Sequence, residues 1–207
     1  MTEIDLAPLK AELKSLKAEV HEGHLYRGAG GARLWRYLEL LRGSFSPDAA
    51  FHLLEIGLNA GHSAYAVLAA FPNARVTSLD VCVHPYTAPV AAWLQARFGR
   101  HELLVGDSRR LLPELAGRFD VIFVDGGHAY VTAKSDLANV RRFAPALVIM
   151  DDVLEATRPR RTMKTWHRGP TRAWFEAVED GRILDAEQDV DMILAWGRLA
   201  TVPPAPR

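Results

Sequence analysis

The feature that most constrains the fold is an alternation of short apolar runs, each closing on glycine or aspartate, with longer segments of helical character. The apolar runs lie at 51–56, 75–79, 102–105, 121–124 and 146–150, and the helical segments between them at 63–71, 88–98, 109–115 and 131–143. Strands that alternate with helices predict right-handed crossovers and a parallel sheet. The runs VIFV and ALVIM are apolar on both faces, which is typical of strands covered on both sides. The sequence therefore predicts an α/β domain.

The N-terminal segment carries one apolar stripe at helical spacing, formed by Leu6, Leu9, Leu13, Leu16 and Val20. The stripe is shorter than the roughly three heptads of a sustained coiled coil. The helix is therefore expected either to pack on its own domain or to supply a homodimer contact. A glycine-rich break at 28–31 and a second helical pattern at 34–41 follow. Together these segments define an N-terminal helical cap at 1–45.

The main domain is expected to cover residues 46–200, and its last part departs from the alternation. A helix is predicted around 172–178, and apolar stretches at 183–184 and 191–196 indicate a hairpin pair. The tail TVPPAPR at 201–207 is expected to be flexible.

Composition argues against several classes of protein. The 25 basic and 25 acidic residues cancel, which disfavours a dedicated nucleic-acid or membrane-surface protein. Cys82 is the single cysteine, so no internal disulfide and no cysteine-rich zinc site are expected, and a reducing, cytoplasmic setting is favoured. The polar start MTEIDLAPLK is unlike a signal peptide. No apolar run approaches the roughly 20 residues of a membrane helix.

The first apolar run opens into a glycine-bearing turn at 55–63, with the sequence EIGLNAGHS. Gly57 and Gly61 permit a tight turn and the close approach of a ligand. Asp80 ends the next run, where a carboxylate can accept both ribose hydroxyls of an adenosine, and Asp107 follows the third, where it is expected to face the adenine edge. The spacing of the two glycines in this turn is neither that of NAD-binding folds nor that of a phosphate loop. It therefore favours an adenosine-type cofactor without a pyrophosphate.

Six motifs together resemble those of the class I S-adenosylmethionine-dependent methyltransferases. They are EIGLNAGHSA at 55–64, HPY at 84–86, GDSRRLLPEL at 106–115, FVDGGHAY at 123–130, IMDDV at 149–153 and GPTRAWFEAVEDGRI at 169–183. The resemblance covers roughly residues 50–185. One departure lies at 144–146, where the chain reads Ala-Pro-Ala and the family usually carries a glycine pair.

The resemblance implies a fold, a cofactor and a set of cofactor-binding residues. The implied fold is a doubly wound, mostly parallel sheet of seven strands in the order 3-2-1-4-5-7-6, with strand 7 antiparallel and helices at the N-terminus. The implied cofactor is S-adenosylmethionine. Its methionine part is expected to contact the turn at 55–63, its ribose the end of the second strand, and its adenine the end of the third strand. The expected cofactor-binding residues are Glu55, Gly57, Asn59, Gly61, Ser63, Asp80, Asp107, Ser108 and Asp125.

Three aspartates and one histidine are candidates for the chemistry. In the implied strand order, Asp125 ends one strand and Asp151 and Asp152 end its neighbour, so their carboxylates are expected to converge. Carboxylate oxygens suit Mg²⁺, Ca²⁺ or Mn²⁺, and such an ion would lower the pKa of an acceptor hydroxyl. His128 is the candidate general base, with Asp125 as its catalytic neighbour. The alternatives are that the aspartates cap a turn or orient the cofactor, and that His128 is structural.

These candidates favour a small-molecule O-methyltransferase that uses S-adenosylmethionine, with assistance from a divalent metal as one version of the mechanism. The alternatives are N- or C-methylation without a metal, and a member of the fold that binds cofactor without catalysis. The basic segment 158–172 is either a solvated loop or a lid over the acceptor, with Trp166 as a flat contact surface. Tyr26, Tyr86 and Tyr130 are further candidates to line the acceptor pocket.

Overall fold

The computed structural model describes residues 4–20, 31–154 and 165–200. Within these ranges the strands are His52–Ile56 (β1), Arg75–Asp80 (β2), His101–Val105 (β3), Val121–Val124 (β4), Leu147–Asp151 (β5), Ile183–Asp189 (β6) and Leu194–Leu199 (β7). The helices are Ala7–Ser15 (α1), Ala32–Ser44 (α2), His62–Ala70 (α3), Thr87–Phe98 (α4), Ser108–Leu111 (α5), Tyr130–Val140 (α6) and Thr165–Glu179 (α7). All five strands predicted from the apolar runs are present.

The strands form one seven-stranded sheet in the order β3-β2-β1-β4-β5-β7-β6. The pairs β1–β2, β2–β3 and β4–β5 are parallel, whereas β7 runs antiparallel to both β5 and β6. The predicted doubly wound, seven-stranded sheet with an antiparallel seventh strand is therefore confirmed. The predicted C-terminal hairpin pair is confirmed as β6 and β7.

The chain divides into two compact units, Met1–Gly106 and Asp107–Arg207. In the first unit, Glu55 of β1 lies opposite Ser78 of β2, and Asp80 at the end of β2 lies opposite Val105 at the end of β3. In the second unit, β4 and β5 are buried at every position. Their side chains are apolar on both faces, apart from Asp151 at the end of β5, as expected for strands covered on both sides.

Helix α1 packs on its own unit. Leu9 is 0% exposed and Leu13 is 7% exposed, and the Tyr65 hydroxyl of α3 donates a hydrogen bond to the Asp5 carbonyl oxygen at 2.9 Å. These contacts favour the first interpretation of the N-terminal apolar stripe, in which the helix covers its own domain. A homodimer contact through the N-terminal helices stays a prediction.

Several predicted features lie outside the described residues. They are Tyr26, the first three residues of the glycine-rich break at 28–31, the part of the basic segment from 158 to 164, and the tail at 201–207. Among the helices of the described ranges, none has both the length and the apolar character needed to cross a bilayer.

The glycine at the start of α3 is fixed by helix packing. Gly61 has a φ of +75°, in the left-handed region that favours glycine. A Cβ added there would lie 2.8 Å from Cγ1 of Val90 and 3.2 Å from Cδ1 of Leu94, both on α4. The residue therefore allows α4 to approach the turn that precedes α3.

We predict that Gly61→Ala destabilises the protein more than Gly99→Ala does. Gly99 also has a left-handed φ of +67°, but it has no heavy atom within 4 Å of the added Cβ. The difference between the two variants therefore isolates the packing effect, expected to be about 1–3 kcal/mol of unfolding free energy. Urea denaturation measures it, and equal losses for both variants would contradict the packing argument.

Candidate active site

The turn after β1 is built from residues in the left-handed region and is held by one aspartate. Gly57, Asn59 and Gly61 have φ values of 96°, 49° and 75°. The Oδ2 atom of Asp80 accepts hydrogen bonds from the backbone N–H groups of Leu58 at 2.8 Å and Asn59 at 3.0 Å. Asp80 at the end of β2 therefore fixes the conformation of the turn at the end of β1.

The surroundings of Asp80 fit an adenosine. Its Oδ1 atom accepts a hydrogen bond from the Cys82 N–H at 2.6 Å. The two oxygens of a carboxylate provide about four acceptor positions, and three backbone bonds leave capacity for a ribose hydroxyl. Val81 is 55% exposed and Val105 is 61% exposed, beside this carboxylate in the sequence and in the strand register. Exposed apolar side chains next to an acceptor for hydroxyls suit a ribose that carries a flat base.

Two predicted cofactor contacts, Glu55 and Ser63, have side chains that face the interior. Glu55 is 0% exposed and Ser63 is 5% exposed. The Ser63 hydroxyl donates a hydrogen bond to Oε1 of Glu55. The Tyr86 hydroxyl donates to the Asn59 side-chain oxygen at 2.8 Å. Through these bonds, Glu55 supports the turn from beneath and Tyr86 supports it from α4's N-terminal end.

Asp107 begins α5 and is held as an anion. Its Oδ1 accepts a hydrogen bond from the Arg109 N–H at 3.0 Å, and the Arg109 guanidinium donates to both carboxylate oxygens. These side-chain and backbone bonds lower the pKa of Asp107 to about 2. Ser108, the other predicted adenine contact, is 6% exposed.

In the second unit, Asp152 lies between two histidines just beyond the end of β5. Its Oδ2 lies 2.9 Å from Nε2 of His128, within a hydrogen-bonding distance. Its Oδ1 lies 3.0 Å from Nδ1 of His167, within the distance of an ion pair. The geometry of this contact is not that of a hydrogen bond. Asp152 has a φ of +62°, a left-handed conformation that aspartate tolerates better than most residues.

Electrostatics keep the Asp152 carboxylate ionised. Burial alone would raise the pKa of Asp152, but the contacts from His128 and His167 outweigh burial and hold that pKa well below its usual range. The side chain of His128 is 39% exposed, whereas that of His167 is 10% exposed. A histidine that is partly exposed and paired with a buried carboxylate can take up a proton, because the anion stabilises the imidazolium.

Helix α7 packs directly on the loop that carries His128. A Cβ added at Gly169 would meet the His128 carbonyl oxygen and would lie 2.6 Å from the Tyr130 nitrogen. Only glycine therefore lets the backbone of α7 lie this close to residues 128–130. This close packing places His167, two residues earlier on the same helix, against Asp152.

The same helix also holds the segment after β5. The hydroxyl of Thr171 accepts a hydrogen bond from the Leu154 N–H at 2.9 Å and donates to the Asp152 carbonyl oxygen at 3.3 Å. Residues 169–171, the sequence Gly-Pro-Thr, therefore position both the histidine loop and the aspartate loop.

The described end of the basic segment serves to join α6 and α7. Arg172 donates to Oε1 of Glu176 at 2.8 Å, and its guanidinium carbon lies 4.1 Å from the centre of the Tyr130 ring. The Tyr130 hydroxyl donates to the other oxygen of Glu176, as does Lys134 at 3.0 Å. These hydrogen bonds, led by that from Tyr130, lower the pKa of Glu176 to about 2. Tyr130 thus contributes to the contact between two helices.

The predicted metal ligands are not brought together as a metal-binding group. Asp125 is half-buried after β4, and Asp151 is 6% exposed at the end of β5. Within residues 4–20, 31–154 and 165–200, no three or more His, Cys, Asp or Glu side chains are placed to hold an ion. In this arrangement both carboxylate oxygens of Asp152 face histidine nitrogens. A divalent ion held by Asp125, Asp151 and Asp152 stays a prediction.

Sequence reasoning missed His167. It belongs to the basic segment 158–172, and its contact with Asp152 was not predicted. The only local signal is the Gly169-Pro170 pair that follows it, since such a pair early in a helix indicates a close backbone contact. The identity of the contacted loop depends on tertiary structure.

Comparison with known proteins shows what the chain resembles in sequence and in fold. A family model described as a methyltransferase domain matches residues 54–153, and no curated protein sequence matches the chain significantly. Cofactor-bound Rv0187 from MTB is 24% identical with a TM-score of 0.67, covering 94% of this chain and 91% of that one. The SAH-bound Podospora anserina methyltransferase PaMTH1 is 19% identical with a TM-score of 0.55, covering 97% and 99%.

A third solved structure, an O-methyltransferase family protein from Burkholderia thailandensis, is 15% identical with a TM-score of 0.58, and the match covers 82% of this chain and 57% of that one. At these identities the structures show a shared fold. The family match adds that residues 54–153 are similar to a methyltransferase domain.

We predict that Gly169→Ala disturbs the histidine loop. The added methyl group meets backbone atoms that cannot rotate away, so α7 must shift from residues 128–130. The expected result is a loss of about 1–3 kcal/mol of unfolding free energy, with faster amide hydrogen exchange at 128–130. Gly43→Ala is the matched control, since this helical glycine has nothing within 4 Å of the added Cβ. Unchanged exchange at 128–130 would contradict the packing argument.

Proposed function

We propose that the protein transfers a methyl group from S-adenosylmethionine to a hydroxyl group of a small molecule, with His128 as the general base. The observation that carries this proposal is the contact of His128 with the buried, ionised carboxylate of Asp152. The methyltransferase-domain match and the fold support the cofactor. The O-methyltransferase family protein among the structural neighbours favours a hydroxyl acceptor.

The cofactor is proposed to bind through the turn after β1 and the ends of the following strands. The turn would hold the methionine part with its backbone, Asp80 would accept the ribose hydroxyls, and the adenine would lie near Val81. When bound, S-adenosylmethionine supplies a methyl group that is already activated by its sulfonium. The residues assigned to this role are Gly57, Asn59, Gly61, Ser63, Asp80, Asp107, Ser108 and Asp125, with Glu55 as the internal support of the turn.

On the acceptor side, the His128 imidazole would take up the proton of the acceptor hydroxyl. The cofactor would supply the methyl group to the acceptor oxygen and would keep the electron pair of the carbon–sulfur bond on its sulfur. Asp152 stabilises the imidazolium that forms, and His167 holds the second oxygen of Asp152 so that the carboxylate keeps its orientation. Because general bases contribute typically about 10²–10⁴-fold to rate, the remaining acceleration must come from alignment of the reacting atoms.

Asp125 and Trp166 are proposed to contribute to binding. Asp125 lies three residues before His128 in the loop after β4, where it would orient the acceptor or the cofactor amine. Trp166 is 41% exposed next to His167, and its flat surface would suit an aromatic acceptor.

Metal assistance is the other version of the mechanism predicted from the strand-end aspartates. It would require Asp152 to exchange two histidine contacts for a cation. The histidine contacts favour direct proton transfer to His128, so we propose a reaction that does not depend on a divalent ion.

His128→Gln is expected to lower kcat by about 10²–10⁴-fold, because glutamine cannot accept the proton. The dissociation constant of S-adenosylhomocysteine, measured by calorimetry, should stay the same. Asp152→Asn should lower kcat less, since asparagine also tolerates the left-handed conformation. His52→Gln is the matched control, because His52 bonds Thr77 in the first unit. A wild-type kcat for His128→Gln would refute the base assignment.

Turnover is expected to survive removal of divalent ions. The assay is formation of S-adenosylhomocysteine with a panel of hydroxyl acceptors, before and after treatment with excess EDTA. Loss of activity with EDTA and its recovery with Mg²⁺ would establish the metal-assisted version instead. Transfer only to nitrogen or carbon acceptors would replace the hydroxyl assignment, and cofactor binding without any transfer would indicate a non-catalytic protein.

A further inference from the structure

The proposed reaction does not use a buried chain of polar side chains that lies beneath the turn after β1, called here the cofactor turn (residues 57–61). It runs from α3 through β1 and β2 to β3 and consists of Ser63, Glu55, Ser78 and His101, which are 5%, 0%, 0% and 4% exposed. The Ser63 hydroxyl donates to Oε1 of Glu55, and the Ser78 oxygen lies 2.7 Å from Oε2. The same Ser78 oxygen lies 3.0 Å from Nε2 of His101.

No cation faces the carboxyl group of Glu55 among the described residues. Its hydrogen-bond partners are the two serine hydroxyls, and the charge that acts on it is the anion of Asp80. An ionised carboxylate buried without a cation costs several kcal/mol, which favours the protonated form. Burial raises the pKa of Glu55 to about 7, although the two serine hydrogen bonds oppose the shift.

At the other end of the chain, His101 is buried as a neutral ring. Its Nδ1 lies 3.3 Å from the Ala91 carbonyl oxygen of α4. That oxygen can only accept, so Nδ1 must carry a proton and donate it. Burial lowers the pKa of His101 to about 4, although the bond to Ala91 opposes the shift. With Nδ1 protonated in a neutral ring, Nε2 is an acceptor.

The hydrogen atoms can then be assigned in one consistent direction. The protonated Glu55 carboxyl donates to the Ser78 oxygen, Ser78 donates to Nε2 of His101, and Nδ1 donates to the Ala91 carbonyl. The ionic alternative holds the same number of protons, with a Glu55 carboxylate and a His101 imidazolium. It would place two charges in the core with one serine between them, and burial disfavours both charges.

We propose that Ser78 and His101 are positioning residues that hold Glu55 as a neutral acid, and that this acid fixes Ser63 and the cofactor turn. Ser63 lies in the first turn of α3, two residues after Gly61. The inference rests on the proposed function only for the identity of the cofactor. The four hydrogen-bonded side chains themselves all belong to the first unit. Loss of the Glu55 proton would replace a hydrogen-bond donor with an unpaired anion beneath the turn.

The test is the pH dependence of stability for the cofactor-free protein and its Glu55→Gln variant. Glutamine keeps an acceptor for Ser63 and a donor for Ser78 but does not titrate. Because the folded-state pKa of Glu55 is raised, its stabilising effect is complete below the ordinary value of 4.5 and is lost as the pH rises through about 7. Between pH 5 and 8 the unfolding equilibrium constant of wild type, relative to Glu55→Gln, should increase roughly 50- to 100-fold.

Parallel pH profiles for the two proteins would overturn the proposal. A second readout uses the folded wild-type protein: nitrogen NMR of His101 should report a neutral ring with the proton on Nδ1 from pH 5 to 8, and an imidazolium at pH 7 would also overturn it. Calorimetry with S-adenosylhomocysteine should give weaker binding to wild type at pH 8.5 than at pH 6, with a flatter profile for Glu55→Gln. Absence of binding to either protein would refute the proposed cofactor, whereas the stability profiles would still decide the state of Glu55.

Discussion

The contact on which the candidate active site depends is the carboxylate of Asp152 held between His128 and His167. One oxygen faces a histidine from the loop after β4, and the other faces a histidine from α7. Both contacts require the left-handed backbone at Asp152 and the close approach of α7 at Gly169. The chain therefore uses a residue with a left-handed backbone and a glycine to place one anion beside the partly exposed histidine, where it can stabilise the imidazolium that forms when His128 takes up a proton.

Two buried carboxyl groups, those of Asp152 and Glu55, have pKa values shifted in opposite directions for a clear physical reason. Asp152 faces two imidazole rings, whose contacts outweigh the cost of burial, and it stays an anion. Glu55 faces two hydroxyls and the anion of Asp80, so burial prevails and its pKa is raised to about 7. The first can stabilise a positive charge that forms during a reaction, while the second supports the architecture of a turn. Burial alone would raise the pKa of both groups, so the partners decide that only Asp152 departs from that expectation.

Much of the fold could be predicted from the sequence because each central strand is an uninterrupted apolar run. Val121–Val124 has the predicted bounds, and the other parallel strands differ by a residue or so. Strand β6 is longer than the two residues predicted, since its exposed polar positions carry no apolar pattern. Helix α7 begins at Thr165, ahead of the predicted 172, and contains Pro170, a residue type that is usually unfavourable inside a helix.

The candidate site was predicted in part. Asp80, Asp125 and Asp152 were identified because a residue that follows an apolar run must lie at the end of a strand. The inward direction of Glu55 and Ser63 depends on which face of the sheet is covered, and the pairing of Asp152 with His167 joins residues from different elements. Neither can be inferred from local spacing, and the predicted metal site stays a prediction.

The most direct test of the central claim is the single-turnover rate of methyl transfer as a function of pH, at saturating S-adenosylmethionine, for wild type and His128→Gln. A general base predicts that the wild-type rate rises with pH and levels off once His128 is neutral. The rate of the variant should instead follow the ionisation of the acceptor hydroxyl and should not level off at the pH where the wild-type rate does. The same profile and the same rate in both proteins would contradict the account.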